Sequence, residues 1–387
     1  MKVAYILNDT ILTNGANRSF LAMLEGLMPL GVEPIVIVPN RYEFCDLLEQ
    51  RGITVRQIDF RPAVYPNGFD FVLDYLLFVP RLVARVLLNG KASRRLTAML
   101  RPLHIDLIHT NVGVIDIGLK AAKSLGIPHV CHIREYADLD FGLHFYPNKA
   151  RFHRLVARSY TVCITRLIQA HRGLDGLSTS RVIYNPIASR ADVMPRHVSG
   201  DYFLYAGRIL PGKGLRELIE AYASYVRASS QPLRLVVAGS AVGSKFVDEL
   251  KAFCAARQLN GLVDFIGAVD DVPTLMQRAK ATVVPSRNEG FGRVMPEAMF
   301  QGCPVIVRDV AGSHEQLENG LQIVGEPIAF AYSDDSQLSA LLAEVSAMSD
   351  KQLEPVCQRA FDVVNRLYTT QGNVGQIINL YNEILKH

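Results

Sequence analysis

The chain has 387 residues, 49% of them hydrophobic and 20% charged, with 41 lysines and arginines against 37 aspartates and glutamates. That length exceeds one ordinary domain of about 150 residues and can bury two cores, while the composition excludes a disordered or collagen-like polypeptide. A formal charge of +4 is too small to argue for nucleic acid as a partner, although it is compatible with phosphates or an anionic membrane surface.

The opening MKVAYILNDTILTNG passes from one lysine straight into a strand-like run. It lacks the long apolar stretch and small-residue cleavage site of a secretory signal, so a cytoplasmic location is expected. Short apolar, β-branched runs then alternate with helical patterns at 3–7, 34–38, 53–58, 105–109, 128–133, 161–165 and 181–184, the rhythm of a parallel sheet covered by helices. Residues 69–88 are the most apolar span. Asp70, Asp74, Pro80, Arg81 and Arg85 interrupt it, which argues against a bilayer crossing. From 69 to 95, leucines and valines interleave with arginines and lysines. This reads either as a core-facing helical hairpin or as a basic amphipathic surface suited to a membrane or a lipid-linked acceptor.

Residues 185–200 form a polar stretch with two prolines and no clear period, the best domain linker. The alternation restarts at 202–207, 233–239, 263–267, 281–285 and 304–307, so a second α/β domain is expected at 201–365 after a first at 1–187. From about Glu354 to Leu385 the pattern is helical, with Gly372 as the expected break, and residues 366–387 form a closing helix. Six scattered cysteines, Cys45, Cys131, Cys163, Cys254, Cys303 and Cys357, lack metal-ligand spacing and read as reduced core residues.

Five places are candidates for chemistry. After the first strand, Gly15 and Ala16 precede a helix expected from Asn17 and would leave backbone amides open to an anion, or simply make a tight turn. His132 ends the strand PHVCHI, followed by Arg134 and Glu135, where doubly wound folds place functional groups. Beyond it, Asp138 and Asp140 could pair on a metal but do not terminate an apolar strand, so a solvated loop is the preferred reading. AGRILPGKG puts Arg208 and Lys213 in a loop between strand and helix, where two cations can hold a diphosphate without a metal. The spacing of Gly207, Gly212 and Lys213 approaches a nucleotide-triphosphatase P-loop, yet Gly214 replaces the serine or threonine that would hold magnesium. Finally, PSRNEGFGRVMPEAMFQGCP reads as strand end, glycine loop and helix. Pro296 suits the first turn and Gly302 the end. Glu289 and Glu297 lie eight residues apart, roughly 12 Å if the path is helical, with Phe291, Gly292 and Val294 at the turn between them. An ordinary capped loop with solvated glutamates is the competing reading.

GRILPGKG, PSRNEGFGRVMPEAMFQGCPVIV and AGSHEQLENG resemble, in order and spacing, the retaining family four of the GT-B glycosyltransferases. The resemblance covers both halves and is strongest in the second. It implies two Rossmann-like domains facing across a cleft, the first binding acceptor and the second a nucleotide-sugar donor, with the last helix returning to the first domain. It further implies roles for Glu289 at the donor sugar and Glu297 at the ribose. Arg208 and Lys213 would hold the diphosphate, Gly15 and Ala16 would lie near the donor phosphate, and His132 would reach the sugar. Phe291, Gly292 and Val294 would complete the donor site. The activity implied is metal-independent, retaining transfer of a hexose or N-acetylhexosamine to a glycan or lipid-linked acceptor in surface polysaccharide or glycoconjugate synthesis. A non-catalytic sugar-nucleotide-binding subunit of the same fold is the alternative. The loop NGANRS departs from the two glycines and acidic residue usual there. Likewise, LQIVGEPIAFAY replaces the glycine and short strand usual after Glu315.

Overall fold

A computed structural model of the chain describes residues 1–386, apart from Thr13, 67–71, 146–147, 196–197, 199 and 242. Its strands are β1 (Lys2–Ile6), β2 (Glu33–Val38), β3 (Thr54–Gln57), β4 (Val64–Pro66), β5 (Leu107–Thr110), β6 (His129–Ile133), β7 (Leu143–Phe145), β8 (Tyr160–Cys163) and β9 (Ser180–Val182). The second series is β10 (Tyr202–Ala206), β11 (Arg234–Ala238), β12 (Val263–Gly267), β13 (Ala281–Val284), β14 (Val305–Arg308) and β15 (Phe330–Tyr332). The chain divides into two compact units, one of Met1–Pro186 with Thr370–His387 and one of Ile187–Thr369. Of the 185–200 stretch expected as linker, the division puts all but Asn185 and Pro186 in the second unit, and the chain rejoins the first at Thr370 rather than at 366.

The first unit holds a seven-stranded sheet in the order β3-β2-β1-β5-β6-β8-β9, parallel throughout. Its central strands are buried on both faces, apolar residues filling β1 while β5 and β6 bury His109, Thr110, His129 and His132 beside their apolar residues. Val3, Tyr5, Phe20, Met23, Val36, Leu107 and Val130 form the core, joined by Val374, Ile377, Leu380, Tyr381 and Ile384 from the last helix, Thr370–Ile384. Residues from the far end of the sequence thus complete the first hydrophobic core.

The second unit holds six parallel strands in the order β12-β11-β10-β13-β14-β15. Phe203, Tyr205, Leu218, Tyr222, Leu235, Val237, Val283 and Ile306 pack its core against Leu338, Leu342 and Val345. In both units the strand next in sequence lies to one side of the first strand until the order reverses. The reversal falls between β1 and β5 in one sheet and between β10 and β13 in the other.

Three sequence expectations are corrected. The 69–95 stretch is no hairpin: one 29-residue helix, Val72–Leu100, runs through Pro80, and 69–71 lie outside the described residues. Gly372 breaks nothing, because the interruption between the helices Asp350–Leu367 and Thr370–Ile384 falls at Tyr368 and Thr369. There Tyr368 O accepts the Ile187 amide at 2.9 Å and Thr369 bridges to Ala188, contacts that draw the backbone out of the helix. The strands β4, β7 and β15, of three residues each, were not expected. All six cysteines are buried and free.

Candidate functional site

In the second unit the sheet order reverses between β10 and β13, so the loops leaving these neighbouring strands diverge and open a crevice at their C-terminal ends. The β10 loop carries Arg208 and Lys213, and the β13 loop carries Glu289. The two are fastened together. The Arg287 amide donates to the Gly212 carbonyl at 3.2 Å, and Lys213 Nζ donates to Glu289 Oε1 at 2.7 Å. Both side chains are mostly buried, 25% and 18% exposed. Gly214 stands where the P-loop pattern wants serine or threonine for a steric reason: its φ is +71°, and a Cβ would run into the Pro285 carbonyl.

A third loop, following β14, supports the second. The Gly312 amide donates to the Glu289 carbonyl at 2.9 Å, and buried Gln316 donates from Nε2 to the carbonyls of Phe291 and Gly292. Both residues sit in the helix Ala311–Val324. Phe291 is buried edge-on against Tyr368, ring centroids 5.3 Å apart. Val294 opens the seven-residue helix Val294–Phe300, in which Glu297 Oε1 accepts from Arg293 Nη2 at 2.9 Å and Nε at 3.1 Å. Because 289–293 are not helical, the rise-based separation of the two glutamates does not apply. Arg208 is exposed, and among the described residues its guanidinium makes no ion pair. This edge therefore presents two loop cations and two carboxylates, the carboxylates already oriented by Lys213 and Arg293. It can bind an anionic group and accept hydrogen bonds from hydroxyls.

In the first unit Gly15 begins the helix Gly15–Leu27, two residues earlier than expected. Ala16's amide is not open as expected: Asn14 caps the helix, and its Oδ1 accepts that amide at 3.2 Å. Asp9 lies beside the same turn, accepting from the Ile11 amide at 3.1 Å and from Asn14 and Asn17 side chains at 2.9 Å each. An anion is thus already built into this helix start.

His132, the penultimate residue of β6, is fully buried. Its Nδ1 lies 3.3 Å from Arg134 Nη2 and 3.3 Å from His109 Nε2, and His109 Nδ1 lies 2.5 Å from the Tyr381 hydroxyl. A guanidinium can only donate, so His132 Nδ1 accepts, and the proton of the neutral ring sits on Nε2. That atom is buried with no partner among the described residues. Burial, reinforced by the Arg134 charge, holds both histidines well below their ordinary range and keeps them neutral. Asp138 and Asp140 diverge: Asp138 accepts from Lys149 and His171 at 2.7 Å each, whereas Asp140 accepts the Tyr136 amide at 2.9 Å.

Sequence reasoning missed Arg293, Gln316, Gly312 and His109 as site-building residues. Only Arg293 left a local signal, four residues before Glu297 at the cap of the helix Val294–Phe300.

Two doubly wound parallel α/β units, the second carrying charged loops at its switch point, define a two-domain α/β class of protein, in which ligands bind at the C-terminal ends of the strands. Residues 195–354 match the family model for glycosyl transferases group 1, and residues 14–181 match the glycosyl transferase 4-like domain. The chain belongs to the group 1 glycosyltransferases. It is similar to the D-inositol 3-phosphate glycosyltransferase of Jonesia denitrificans, 40% identical over 29% of this chain and 28% of that one. The lipopolysaccharide 1,2-N-acetylglucosaminetransferase of Salmonella typhimurium is 31% identical over 45% of each chain. Matched stretches span 28% to 59% of the curated relatives' own lengths. In fold the chain resembles Anabaena HepE, solved in complex with UDP, with a TM-score of 0.78 at 19% identity over 99% of this chain and 100% of that one.

Proposed function

We propose that the chain is a metal-independent, retaining glycosyltransferase that moves a hexose or N-acetylhexosamine from a nucleotide-sugar donor to a glycan or lipid-linked acceptor. The observation that carries this reading is the paired set Lys213–Glu289 and Arg293–Glu297 at the β10/β13 switch point, with Arg208 exposed beside it. Membership of the group 1 family supports the reading, as does the glycan chemistry named for its relatives.

In the step we infer, the acceptor oxygen bonds to the anomeric carbon on the face that the leaving group departs. The bond from that carbon to the diphosphate oxygen breaks, its electron pair stays with the diphosphate, and the acceptor proton passes to that oxygen. Arg208 and Lys213 neutralise the departing diphosphate, work a metal ion would otherwise do. Lys213 has three N–H donors and can keep Glu289 while it serves the phosphates. Glu289 would take a donor-sugar hydroxyl and Glu297 the ribose. Such an enzyme would work in the cytoplasm or at the inner membrane face, in surface polysaccharide or glycoconjugate synthesis.

The test is calorimetric titration of UDP, GDP and ADP, with and without chelator, into the native chain and Glu297→Ala. Binding of one nucleotide that survives chelator and is lost in the variant is expected. Binding that requires magnesium, or no binding at all, would remove the donor-site assignment.

A further inference from the structure

We propose that the helix Val72–Leu100 docks the protein on an anionic lipid bilayer, lying in the plane of the interface. Large exposed apolar side chains are concentrated on this helix: Leu76 is 71% exposed, Val79 63%, Val83 53%, Val86 38% and Leu87 62%. Their spacing of three, four, three and one residues puts them on one face at 3.6 residues per turn. Arg94 lies eighteen residues, five whole turns, beyond Leu76 and therefore on the same line. It is exposed together with Lys91 and Arg95, so the apolar stripe runs on into a cationic turn.

The opposite face explains why the stripe is free to point outward. Asn89 holds the 61 backbone at both ends, its Oδ1 accepting the Arg61 amide at 2.9 Å and its Nδ2 donating to the Arg61 carbonyl at 2.8 Å. Ala92, Ser93, Leu96 and Leu100 are buried, and the helix packs along Ile117–Leu125. The C-terminal half is thus anchored to the unit by its buried face, while Leu76, Val79, Val83, Val86 and Leu87 keep their side chains in water.

Charge selects the occupant. Of the helix's five basic residues, Lys91, Arg94 and Arg95 are exposed at the end of the stripe, whereas Arg81 and Arg85 stand on the other side of the helical wheel and Arg85 donates to the Val64 carbonyl; the helix has one acid, Asp74. A second copy of the chain would bring the same cationic face, with only that acid to answer it. A bilayer of anionic lipids offers both halves of the match, hydrocarbon for the stripe and phosphate charge for the basic turn. The helix does not cross the membrane: no helix among the described residues is long and apolar enough.

The test is flotation of the full chain with phosphatidylcholine vesicles and with vesicles that also contain phosphatidylglycerol. It requires no turnover, so its result is independent of the glycosyltransferase reading. The protein is expected to float with the anionic vesicles only. The combined substitution Leu76→Ser, Val83→Ser, Leu87→Ser should cut the floated fraction at least roughly tenfold, as should Lys91→Glu with Arg94→Glu. All of these positions are exposed and lie outside the donor loops, so melting temperature and nucleotide binding should not change. Absence of flotation, flotation with phosphatidylcholine alone, or indifference to both substitution sets would overturn the proposal. Concentration-dependent dimerisation abolished by Leu87→Ser would overturn it in favour of self-association.

Discussion

Arg208 and Lys213 sit five residues apart in one loop, yet they are in different physical situations. Lys213 is mostly buried and neutralises Glu289, whereas Arg208 stands in water without an ion pair among the described residues. Replacing Lys213 by alanine leaves a largely buried carboxylate unpaired, a change that costs stability as well as chemistry. Replacing Arg208 removes an exposed cation and should cost chemistry alone. Under the proposed function, turnover falls by roughly 10² in each variant, but only Lys213→Ala lowers the melting temperature. Parallel kcat measurements and thermal melts check this, and an unchanged kcat for Arg208→Ala would remove it from the leaving-group site. The residue types at these positions were legible because glycine, lysine and glutamate recur at fixed spacings. Their partners were not. Asn14 as the cap on Ala16 and Arg134 as the donor that fixes the His132 tautomer arise from backbone turns and strand pairing, which no local pattern encodes.

At the scale of elements, the β13 loop owes its shape to a helix that belongs to a different strand connection. A Cβ on Gly312 would lie 2.8 Å from the Gly290 carbonyl oxygen and from Phe291 backbone atoms, too close to be absorbed without moving the loop. Gly312→Ala should therefore displace the segment bearing Glu289 while leaving the core strands intact. A displacement of about 1 Å at a positioned group is worth on the order of 10² in rate, so kcat/KM should fall by that order with little change in far-ultraviolet dichroism. Retention of full activity would show that the contact does not position Glu289. The longer strands were readable because buried parallel strands present mostly apolar, β-branched runs. β4, β7 and β15 carry too few residues for a clear periodic signal, and β4 and β7 owe their pairing to each other across a long stretch of sequence. Pro80 illustrates the opposite limit: a strong helix breaker sits inside the helix Val72–Leu100, where the surrounding turns carry the helix through.

For the whole molecule, the two units should respond differently to acid. The first buries His109, His129 and His132, and the second has His314 as its one described histidine. Burial holds His129 down to about 3 between the hydroxyls of Thr110 and Ser159, and it holds His109 and His132 well below 6.5. Half-buried His153 is lowered to about 4 in the same way. Below the ordinary histidine value the unfolded chain binds protons that the folded unit refuses. Each of these groups therefore contributes stability that is complete above about pH 7 and is lost as pH falls, with a limiting slope of about 1.4 kcal/mol per pH unit. Glu135 acts in the opposite sense. Its burial raises the carboxyl to about 7, so its contribution is complete below the ordinary carboxyl range and is lost as pH rises through that value. Asp140, likewise raised by burial, acts in the same sense as Glu135, and two opposing groups do not offset four. His314, raised by its hydrogen bond to Asp309, favours the folded second unit as pH falls through the ordinary histidine range. Acidification from about pH 7.5 to about pH 5 should thus lower the unfolding midpoint of the first unit selectively. Urea unfolding read by pulse proteolysis, with fragments assigned to 1–186 and 187–369, checks this. Equal shifts in both units would mean that the histidines around β5 and β6 reach water before the unit unfolds.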